Sequence, residues 1–299
     1  APAPKDNQTT TERIQLGKAL FFDPRLSSSN WISCATCHNP ALGWSDGLAT
    51  AIGHGMHELA RATPTILNTG FNKFQFWDGR ARTLEEQAVG PIQAAGEMNQ
   101  EMGELIDELS AIDGYKVLFE AAYPGEGISE NTIGKALAAF QRTVVTTEST
   151  FDLWVKGDEQ AISASAKRGF ELFEGKGRCV VCHSGFNFND NGFHNLGLKE
   201  EVPDMGRYNV RKVAVLRGAF KTPTLRDVTL TAPYMHNGMY ATLEEVIEHY
   251  DRGGDVKEHL SPNMEPLNLT KQEKVDLLVF MKSLDSIKPL ETTIPHLPQ

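Results

Sequence analysis

The segments Cys34–His38 (CATCH) and Cys179–His183 (CVVCH) repeat one pattern, two cysteines separated by two residues and followed directly by a histidine. In this C-x-x-C-H pattern the thiols bond covalently to the vinyl groups of a haem, and the histidine binds the iron. The short spacing lets one turn of chain reach both the haem edge and the metal. The two segments predict two covalently bound haem c groups, with His38 and His183 as iron ligands.

The two patterns together use every cysteine in the chain: Cys34, Cys37, Cys179 and Cys182. A tetrahedral zinc site usually takes a second pair of ligands at its own short spacing, and neither half of the chain offers a clear one. Two C-x-x-C disulfides would leave both following histidines unexplained. We therefore expect haem c. Because this haem is attached on the oxidising side of a membrane, we also expect a periplasmic location.

The two halves of the chain share further landmarks. Three pairs recur at a constant offset of 159 residues, and a Gly-x-x-Leu-Phe stretch precedes each haem motif. The three pairs are Thr63–Thr65 with Thr222–Thr224, Asp78-Gly79 with Asn237-Gly238, and Thr83–Glu86 with Thr242–Glu245. The Gly-x-x-Leu-Phe stretches are Gly17–Phe21 and Gly169–Phe173. The repeat predicts two cytochrome c-like domains related by internal duplication, residues 1–148 and 149–299, with one haem in each and a C-terminal tail on the second.

Local patterns predict a mainly α fold. Thr-x-x-Glu before an apolar stretch is a capping box, and it occurs at Thr9–Glu12 as well as in both halves of the repeat. Helical spacing of apolar residues predicts helices over 132–145 and from Val275 to Leu284. A short strand is expected at 209–216. The polar stretch 146–165 is expected to link the domains.

Composition narrows the classes of partner. The 299 residues carry a formal charge of −10, which counts against nucleic-acid binding because phosphates need cations to neutralise them. An acidic surface suits a basic protein partner, or it simply keeps the protein dispersed. No run approaches the ~18 apolar residues that would span a bilayer. The start Ala1–Pro4 fits a mature end left by cleavage after small residues.

The second axial position of each iron decides between an electron carrier and an enzyme. His54 stands between two glycines sixteen residues after His38, and these glycines would let its loop move. His57 is the local competitor. A methionine ligand would raise the potential of the second haem, and periodicity does not choose among the five methionines after His183. These are Met205, Met235, Met239, Met264 and Met281.

At this point the chain resembles the bacterial di-haem cytochrome c peroxidases, over a match that runs from about Leu16 to Leu284. Several long motifs stand in the family's order and spacing. They are Leu20–Leu26, Ile32–Asn39, Pro64–Asn68, Phe76–Arg80, Gln87–Met98, Thr222–Arg226 and Leu230–Tyr234.

The resemblance implies a role for each matching residue. The haem on His38 would be the low-potential, peroxidatic haem, with His54 as its removable distal ligand. The haem on His183 would be the high-potential haem where electrons enter, with Met264 as its sixth ligand. The remaining matches are Glu97 as the distal acid–base residue, Gln87 as its companion near the peroxide, and Trp77 at the position between the haems.

One position of the sequence departs from the family's pattern. The family holds a calcium ion between its domains through an asparagine side chain and two backbone carbonyls. The carbonyl positions match Thr231 and Pro233, but the asparagine position holds Ala62, which has no side-chain oxygen. Because calcium needs several oxygen ligands, this departure counts against a calcium ion unless water or another side chain substitutes.

The resemblance implies a peroxidase that reduces hydrogen peroxide to water, with electrons from a small periplasmic redox protein, either a cytochrome c or a cupredoxin. It also implies a homodimer. One rival is a di-haem oxidase that matures tryptophan tryptophylquinone in a partner protein. Such enzymes have tyrosine in place of the second-haem methionine and lack the removable histidine. The other rival is an electron carrier with both irons permanently closed.

Overall fold

The computed structural model describes residues 1–290 and 293–299. Within these residues the chain forms ten α-helices and one pair of two-residue antiparallel strands, so the predicted mainly α class is confirmed. The helices are α1 (Thr11–Phe22), α2 (Cys34–Cys37), α3 (Leu84–Gln93), α4 (Met102–Ser110), α5 (Asp113–Ala122), α6 (Glu130–Gln141), α7 (Thr150–Val155), α8 (Ala164–Glu174), α9 (Leu243–Asp251) and α10 (Lys271–Lys282). The strands are β1 (Phe193–His194) and β2 (Phe220–Lys221).

The chain divides into two compact units. The first takes in residues 1–75, 81–145 and 293–299, and the second takes in residues 76–80 and 146–290. The unit boundary lies at 145/146, three residues before the predicted one, and segments 76–80 and 293–299 belong to the unit opposite to the predicted domain. Segment 76–80 belongs with the second unit because the backbone N–H of Lys221 donates to the Trp77 carbonyl (2.8 Å). The C-terminal residues belong with the first, where Gly114 N–H donates to the Gln299 carbonyl (3.1 Å).

The first unit is built on a crossing of α1 over α6. At the crossing, Gly17 brings the two backbones so close that an added β-carbon would collide with the Ala136 carbonyl oxygen and lie 2.8 Å from Cβ of Phe140. The rings of Phe21 and Phe140 pack beside this contact, with centroids 5.2 Å apart. The glycine of the first Gly-x-x-Leu-Phe stretch is thus required by helix packing.

The second unit repeats this arrangement between α8 and α10. A β-carbon on Gly169 would collide with the Asp276 carbonyl oxygen and lie 2.7 Å from Cβ of Phe280. Phe280 is fully buried and packs against Phe173, with ring centroids 5.0 Å apart. The second Gly-x-x-Leu-Phe stretch therefore makes the same kind of contact as the first, as the proposed duplication requires.

Replacing either glycine with alanine is expected to lower the free energy of unfolding by roughly 2–3 kcal/mol, because a backbone carbonyl cannot move aside without separating the helices. Gly103→Ala in α4 is the matched control, since its added β-carbon would meet only the flexible side chain of Glu101. Alanine there is expected to be neutral or stabilising by up to ~1 kcal/mol. Thermal unfolding followed by circular dichroism measures all three variants. Equal losses in all three would contradict this packing account.

Helix starts follow the sequence signals with two small shifts. Thr83 accepts a hydrogen bond from Glu86 N–H (3.1 Å), and Thr242 and Glu245 form a complete capping box. In α1 the cap is Thr10, which accepts from Arg13 N–H, so the prediction of Thr9 was wrong by one residue. Two adjacent threonines made the position ambiguous. Helix α6 begins two residues before the predicted start, and its cap is Ser129.

The predicted strand at 209–216 was wrong. The segment forms two 3-10 turns, Arg207–Asn209 and Ala214–Leu216, and residues 209–215 are all exposed. The spacing of the valines predicts a strand, but a strand also needs a neighbouring strand that exchanges backbone hydrogen bonds with it.

The predicted linker at 146–165 was also wrong. It contains α7, whose Phe151 is buried against Phe170 and Phe280. The carboxylate of Asp152 accepts from both terminal nitrogens of Arg226, at 2.9 and 2.8 Å. A short helix with two aromatic side chains was enough to join this polar stretch to the second core.

Among all described residues, no helix is both long and apolar enough to cross a bilayer.

Candidate haem sites

The first haem motif is a single helical turn with its own cap. Helix α2 consists of Cys34–Cys37, and Ser33 N–H donates to the Thr36 hydroxyl (3.0 Å) in a reciprocal capping box. The N–H of His38 then donates to the Cys34 carbonyl (2.8 Å), which closes the turn. Both sulfurs and the imidazole thus start from one rigid turn.

The His38 ring is oriented for a metal. Its Nδ1 lies 3.2 Å from the Trp44 carbonyl oxygen. A carbonyl only accepts, so Nδ1 carries the proton and Nε2 keeps its lone pair. Burial holds the pKa of His38 below its ordinary value, which favours the neutral imidazole that iron binds. A metal-bound histidine generally has such a partner on its other nitrogen.

The second motif repeats this geometry. Residues Cys179–Val181 form a 3-10 turn, and His183 N–H donates to the Cys179 carbonyl (2.8 Å). His183 Nδ1 lies 2.9 Å from the Phe188 carbonyl oxygen, and burial lowers the pKa of this imidazole too. Each unit therefore presents one histidine with Nε2 available.

Three of the four sulfurs, those of Cys34, Cys37 and Cys179, lie in buried surroundings that disfavour the thiolate. Burial raises the pKa of Cys34 and of Cys179 to about 12 and that of Cys37 to about 11, so these thiols are neutral near pH 7. Zinc and other metals bind the thiolate form. None of the four cysteines forms a disulfide among the described residues. The two motifs fit covalent haem c.

One group of three possible metal ligands occurs among the described residues, and it adjoins the second motif. It consists of Cys182, Asp190 and His194. His194 Nε2 lies 2.9 Å from the Asp190 carboxylate, and Asp190 N–H donates to the Cys182 carbonyl (2.9 Å). A structural zinc site has four ligands, one more than this group offers. We therefore interpret the three residues as a polar part of the lining of the second haem site. The sequence reasoning missed Asp190 and His194.

His54 lies on a 3-10 turn that is tied to the segment holding Glu97. Its backbone N–H is shared between the carbonyls of Gly96 (3.1 Å) and Glu97 (2.8 Å). Gly55 has φ of 63° with open space around it, but a β-carbon on Gly53 would collide with the Gly96 carbonyl oxygen. Only one of the two flanking glycines thus has the open surroundings that a moving loop needs.

Glu97 lies close to the first motif. Burial is the main cause of the raised pKa of Cys34 and Cys37, and the negative charge of Glu97 adds to it at both thiols. The Glu97 N–H donates to the Ala94 carbonyl (2.9 Å) just beyond α3. Gln87 is half-buried on the same helix, seven residues before Ala94 and so on the same face. The structure thus brings Glu97 to the haem motif, and the role of Gln87 stays a prediction.

Trp77 is half-buried in the short segment that joins the second unit. Its backbone carbonyl accepts from the Lys221 N–H in β2. Two residues further along the chain, the backbone carbonyl of Pro223 forms a hydrogen bond with the His183 imidazole. A chain of backbone contacts therefore leads from Trp77 to the second motif. Its position relative to the first haem stays a prediction.

Met264 lies beside the second motif. It is 9% exposed, and its neighbour Asn263 places its side-chain nitrogen 3.9 Å from the Cys182 sulfur. Met281 instead belongs to the apolar core of the second unit, and Met239 is exposed. Met264 is thus buried next to a haem motif while lying outside that core.

Tyr250 is a second candidate ligand that sequence reasoning missed. Burial raises the pKa of its phenol above the ordinary value, and the charges of Cys179 and Cys182 add to the shift. The phenol therefore lies near both haem-bonding cysteines of the second motif. A signal was available: Leu243, Ile247 and Tyr250 follow i, i+4, i+7 spacing in α9, and the first two are buried.

Comparison with known proteins agrees with this geometry. The family model for di-haem cytochrome c peroxidase matches residues 11–160. The chain belongs to this family.

Its relatives carry two kinds of name. A methylamine utilization protein MauG from Methylorubrum extorquens is 49% identical, covering 99% of this chain and 84% of the relative. A cytochrome c551 peroxidase from Nitrosomonas europaea is 37% identical, covering 96% and 84%. The crystal structure of a MauG-like protein associated with microbial copper homeostasis superposes with a TM-score of 0.89 at 33% identity, covering 95% and 92%. The chain is thus an oxidoreductase of a family of di-haem c-type cytochromes.

The predicted calcium ligands divide between the units. Ala62 lies in the first unit, and Thr231 and Pro233 lie in the second. Ala62 is buried and contributes no side-chain oxygen. The calcium site stays a prediction with its asparagine missing.

Proposed function

We propose that this family member is a periplasmic peroxidase that reduces hydrogen peroxide at the haem on His38, with electrons that enter through the haem on His183. The donor is a small redox protein, either a cytochrome c or a cupredoxin. The observation that carries the proposal is the position of Glu97. Its carboxylate acts on both haem-bonding cysteines of the first motif, and its backbone is hydrogen-bonded to that of His54.

Peroxide cleavage needs a proton to move from one oxygen to the other. When bound, the haem supplies the iron and the redox chemistry. Glu97 supplies the proton transfer: as a carboxylate it takes the proton from the oxygen that approaches the metal, and it then returns that proton to the oxygen that leaves as water. Two electrons and two protons convert one peroxide into two waters.

His54 controls access in this proposal. His54 would hold the iron of the first haem, and its imidazole would then keep peroxide out. We infer that His54 would be released once the second haem is reduced, which would make it a local two-state switch. Because the His54 N–H bonds to the carbonyls of Gly96 and Glu97, release of the histidine would also shift the acid–base residue. Opening and proton transfer are then coupled through one short segment.

The steady-state test uses the di-haem protein, peroxide, and a reduced cytochrome c or cupredoxin. Rapid donor oxidation that depends on peroxide supports the proposal. Donor oxidation without peroxide, or none with either donor, would contradict it. An electron carrier would exchange electrons with the donor once and then stop.

A second candidate function is favoured by Tyr250. A phenol beside Cys179 and Cys182 is the feature expected of an oxidase that resembles the protein-maturing di-haem enzymes, and the relative from Methylorubrum extorquens carries a MauG name. Such an enzyme would use peroxide at the same first site and draw its electrons from aromatic side chains of a partner protein. His54 and Met264 are the features that favour the peroxidase.

The identity of the sixth ligand separates the two candidates. If Met264 is the ligand, Met264→Leu should lower the potential of one haem, because thioether ligation raises it, and Tyr250→Phe should leave both potentials unchanged. The reverse pattern would assign the iron to Tyr250 and support the second candidate. Potentiometric titration followed by absorbance measures both variants. Met281→Leu is the control for loss of a buried methionine that belongs to the apolar core of the second unit.

The periplasmic location and the homodimer expected from the resemblance are kept as parts of this proposal. Fractionation of the native host and sedimentation of the di-haem protein test them.

A further inference from the structure

The exposed loop 207–217 of the second unit, here named the basic loop, differs in charge from the rest of the chain. It carries four basic residues and no acidic one, whereas the whole chain has a net charge of −10. Its basic residues are Arg207, Arg211, Lys212 and Arg217. The local charge is thus opposite in sign to the charge of the protein.

The basic loop also exposes apolar side chains. Val210, Val213 and Val215 are 42%, 41% and 68% exposed, and residues 209–215 have no buried member. Alternating cations and valines on an open surface are typical of a contact that pairs an apolar centre with a charged rim. A loop with no partner would more usually carry polar side chains there.

The guanidinium of Arg207 donates to the Asp78 and Gly79 carbonyls. The other three cations of the basic loop, Arg211, Lys212 and Arg217, are not paired with a carboxylate within the part of the chain that the structure describes. Lys212 and Arg217 instead lie 4.8 and 4.9 Å from the ring centroid of Tyr208. Three acids precede the loop: Glu200 pairs with His236 at 2.9 Å, Asp204 accepts from the Gly206 N–H (2.8 Å), and Glu201 is exposed.

The base of the loop is fixed to the second haem site. Asn195 donates to the Arg217 carbonyl (2.9 Å) and accepts from Ser261 N–H (2.9 Å). Ser261 in turn accepts from Met264 N–H (3.0 Å), and Asn263 contacts the Cys182 sulfur. Three hydrogen bonds therefore lead from the basic loop to the segment that lies against the second haem motif.

We propose that the basic loop is the docking surface for a small redox protein whose contact face is acidic and which exchanges electrons with the haem on His183. An acidic protein is repelled by most of this chain, so a local patch of cations fixes where it binds as well as attracting it. Net charge alone favours a basic partner, and the local structure reverses that expectation. The inference rests on the proposed entry of electrons at the second haem.

The test follows reduction of the second haem by stopped flow, without peroxide, so that a failure of peroxidase activity leaves it readable. The donors are a reduced cupredoxin of net negative charge and a reduced cytochrome c of net positive charge. With the acidic donor we expect a rate constant that falls as ionic strength rises. Arg211→Glu/Lys212→Glu should lower it by ~10-fold or more at low salt, and Arg211→Gln/Lys212→Gln by less.

The matched control reverses the two exposed lysines at the ends of α10 in the same unit. Lys271→Glu/Lys282→Glu on α10 changes the net charge by the same amount, and it should leave the rate with the acidic donor within about twofold. Equal slowing by both double variants would overturn the inference, because it would show a general charge effect. Faster reduction by the basic donor, unaffected by the loop variant, would also overturn it.

The other partner that the basic loop would fit is a second copy of this chain, and sedimentation distinguishes that case from binding of a redox protein. If the wild type is a dimer and Arg211→Glu/Lys212→Glu is a monomer, the basic loop is a subunit interface and the redox-partner inference is overturned. An unchanged oligomeric state together with a slowed acidic donor supports it.

Discussion

Replacement of Glu97 with glutamine is expected to reduce peroxide turnover by ~10²-fold or more while both haems stay bound, because an amide can no longer carry a proton between the two oxygens. The amide matches the carboxylate in size, and Glu97 is half-buried beside the first motif. Turnover with a reduced donor gives the rate, and absorbance of the haems confirms that the fold and the cofactors are intact.

The control for this variant is Asp107→Asn, which makes the same chemical change at an exposed position of α4. Its turnover should equal that of the wild type. Near-normal turnover of Glu97→Gln would show that the proton moves by another route, and the role given to Glu97 would be wrong.

Replacement of His54 with glycine is expected to open the first haem in the fully oxidised protein. If the closed ligand leaves only ~1% of the sites open, its removal should raise the peroxide reaction rate of the oxidised protein by on the order of 100-fold. Electron paramagnetic resonance should show a high-spin first haem in the oxidised variant. In the wild type the same signal should appear only after reduction of the second haem.

His57→Gly is the control, because His57 is exposed three residues further along the same loop and packs against Gly96. Its oxidised form should stay low-spin. An oxidised wild type that is already high-spin and reactive would exclude His54 as a gate and place the protein with relatives that rest in an open state.

Signals that act over a few residues predicted the fold well. The Thr-x-x-Glu patterns that begin at Thr83 and Thr242 start α3 and α9 where expected. The two Gly-x-x-Leu-Phe stretches mark the crossings at Gly17 and Gly169, where a β-carbon does not fit. Each of these signals depends on a contact whose chemistry is visible in a short stretch of sequence.

Apart from helix starts that were wrong by one or two residues, the errors concern long-range contacts. Valine alternation at 209–216 cannot show that no neighbouring strand is available, and the polar composition of 146–165 cannot show that Phe151 finds an aromatic cluster. Segment 76–80 joins the second unit through its backbone carbonyls, which accept from the Lys221 N–H and from the Arg207 guanidinium, and backbone acceptors carry no sequence signal.

The haem sites divide in the same way. The cysteines and His38 and His183 follow from the motif alone, and the structure adds that each imidazole donates to a backbone carbonyl. Tyr250 carries no ligand motif in the sequence, although its helical spacing places it on the buried face of α9.

The central claim, peroxide reduction at the expense of a donor protein, is tested most directly by counting electrons. Peroxide is added in known amounts to the di-haem protein with an excess of reduced donor under anaerobic conditions, and donor oxidation is read by absorbance. The account predicts two donor molecules oxidised for each peroxide, repeated over many turnovers. Peroxide that disappears while the donor stays reduced, with oxidised aromatic side chains found in an added partner protein, would contradict it.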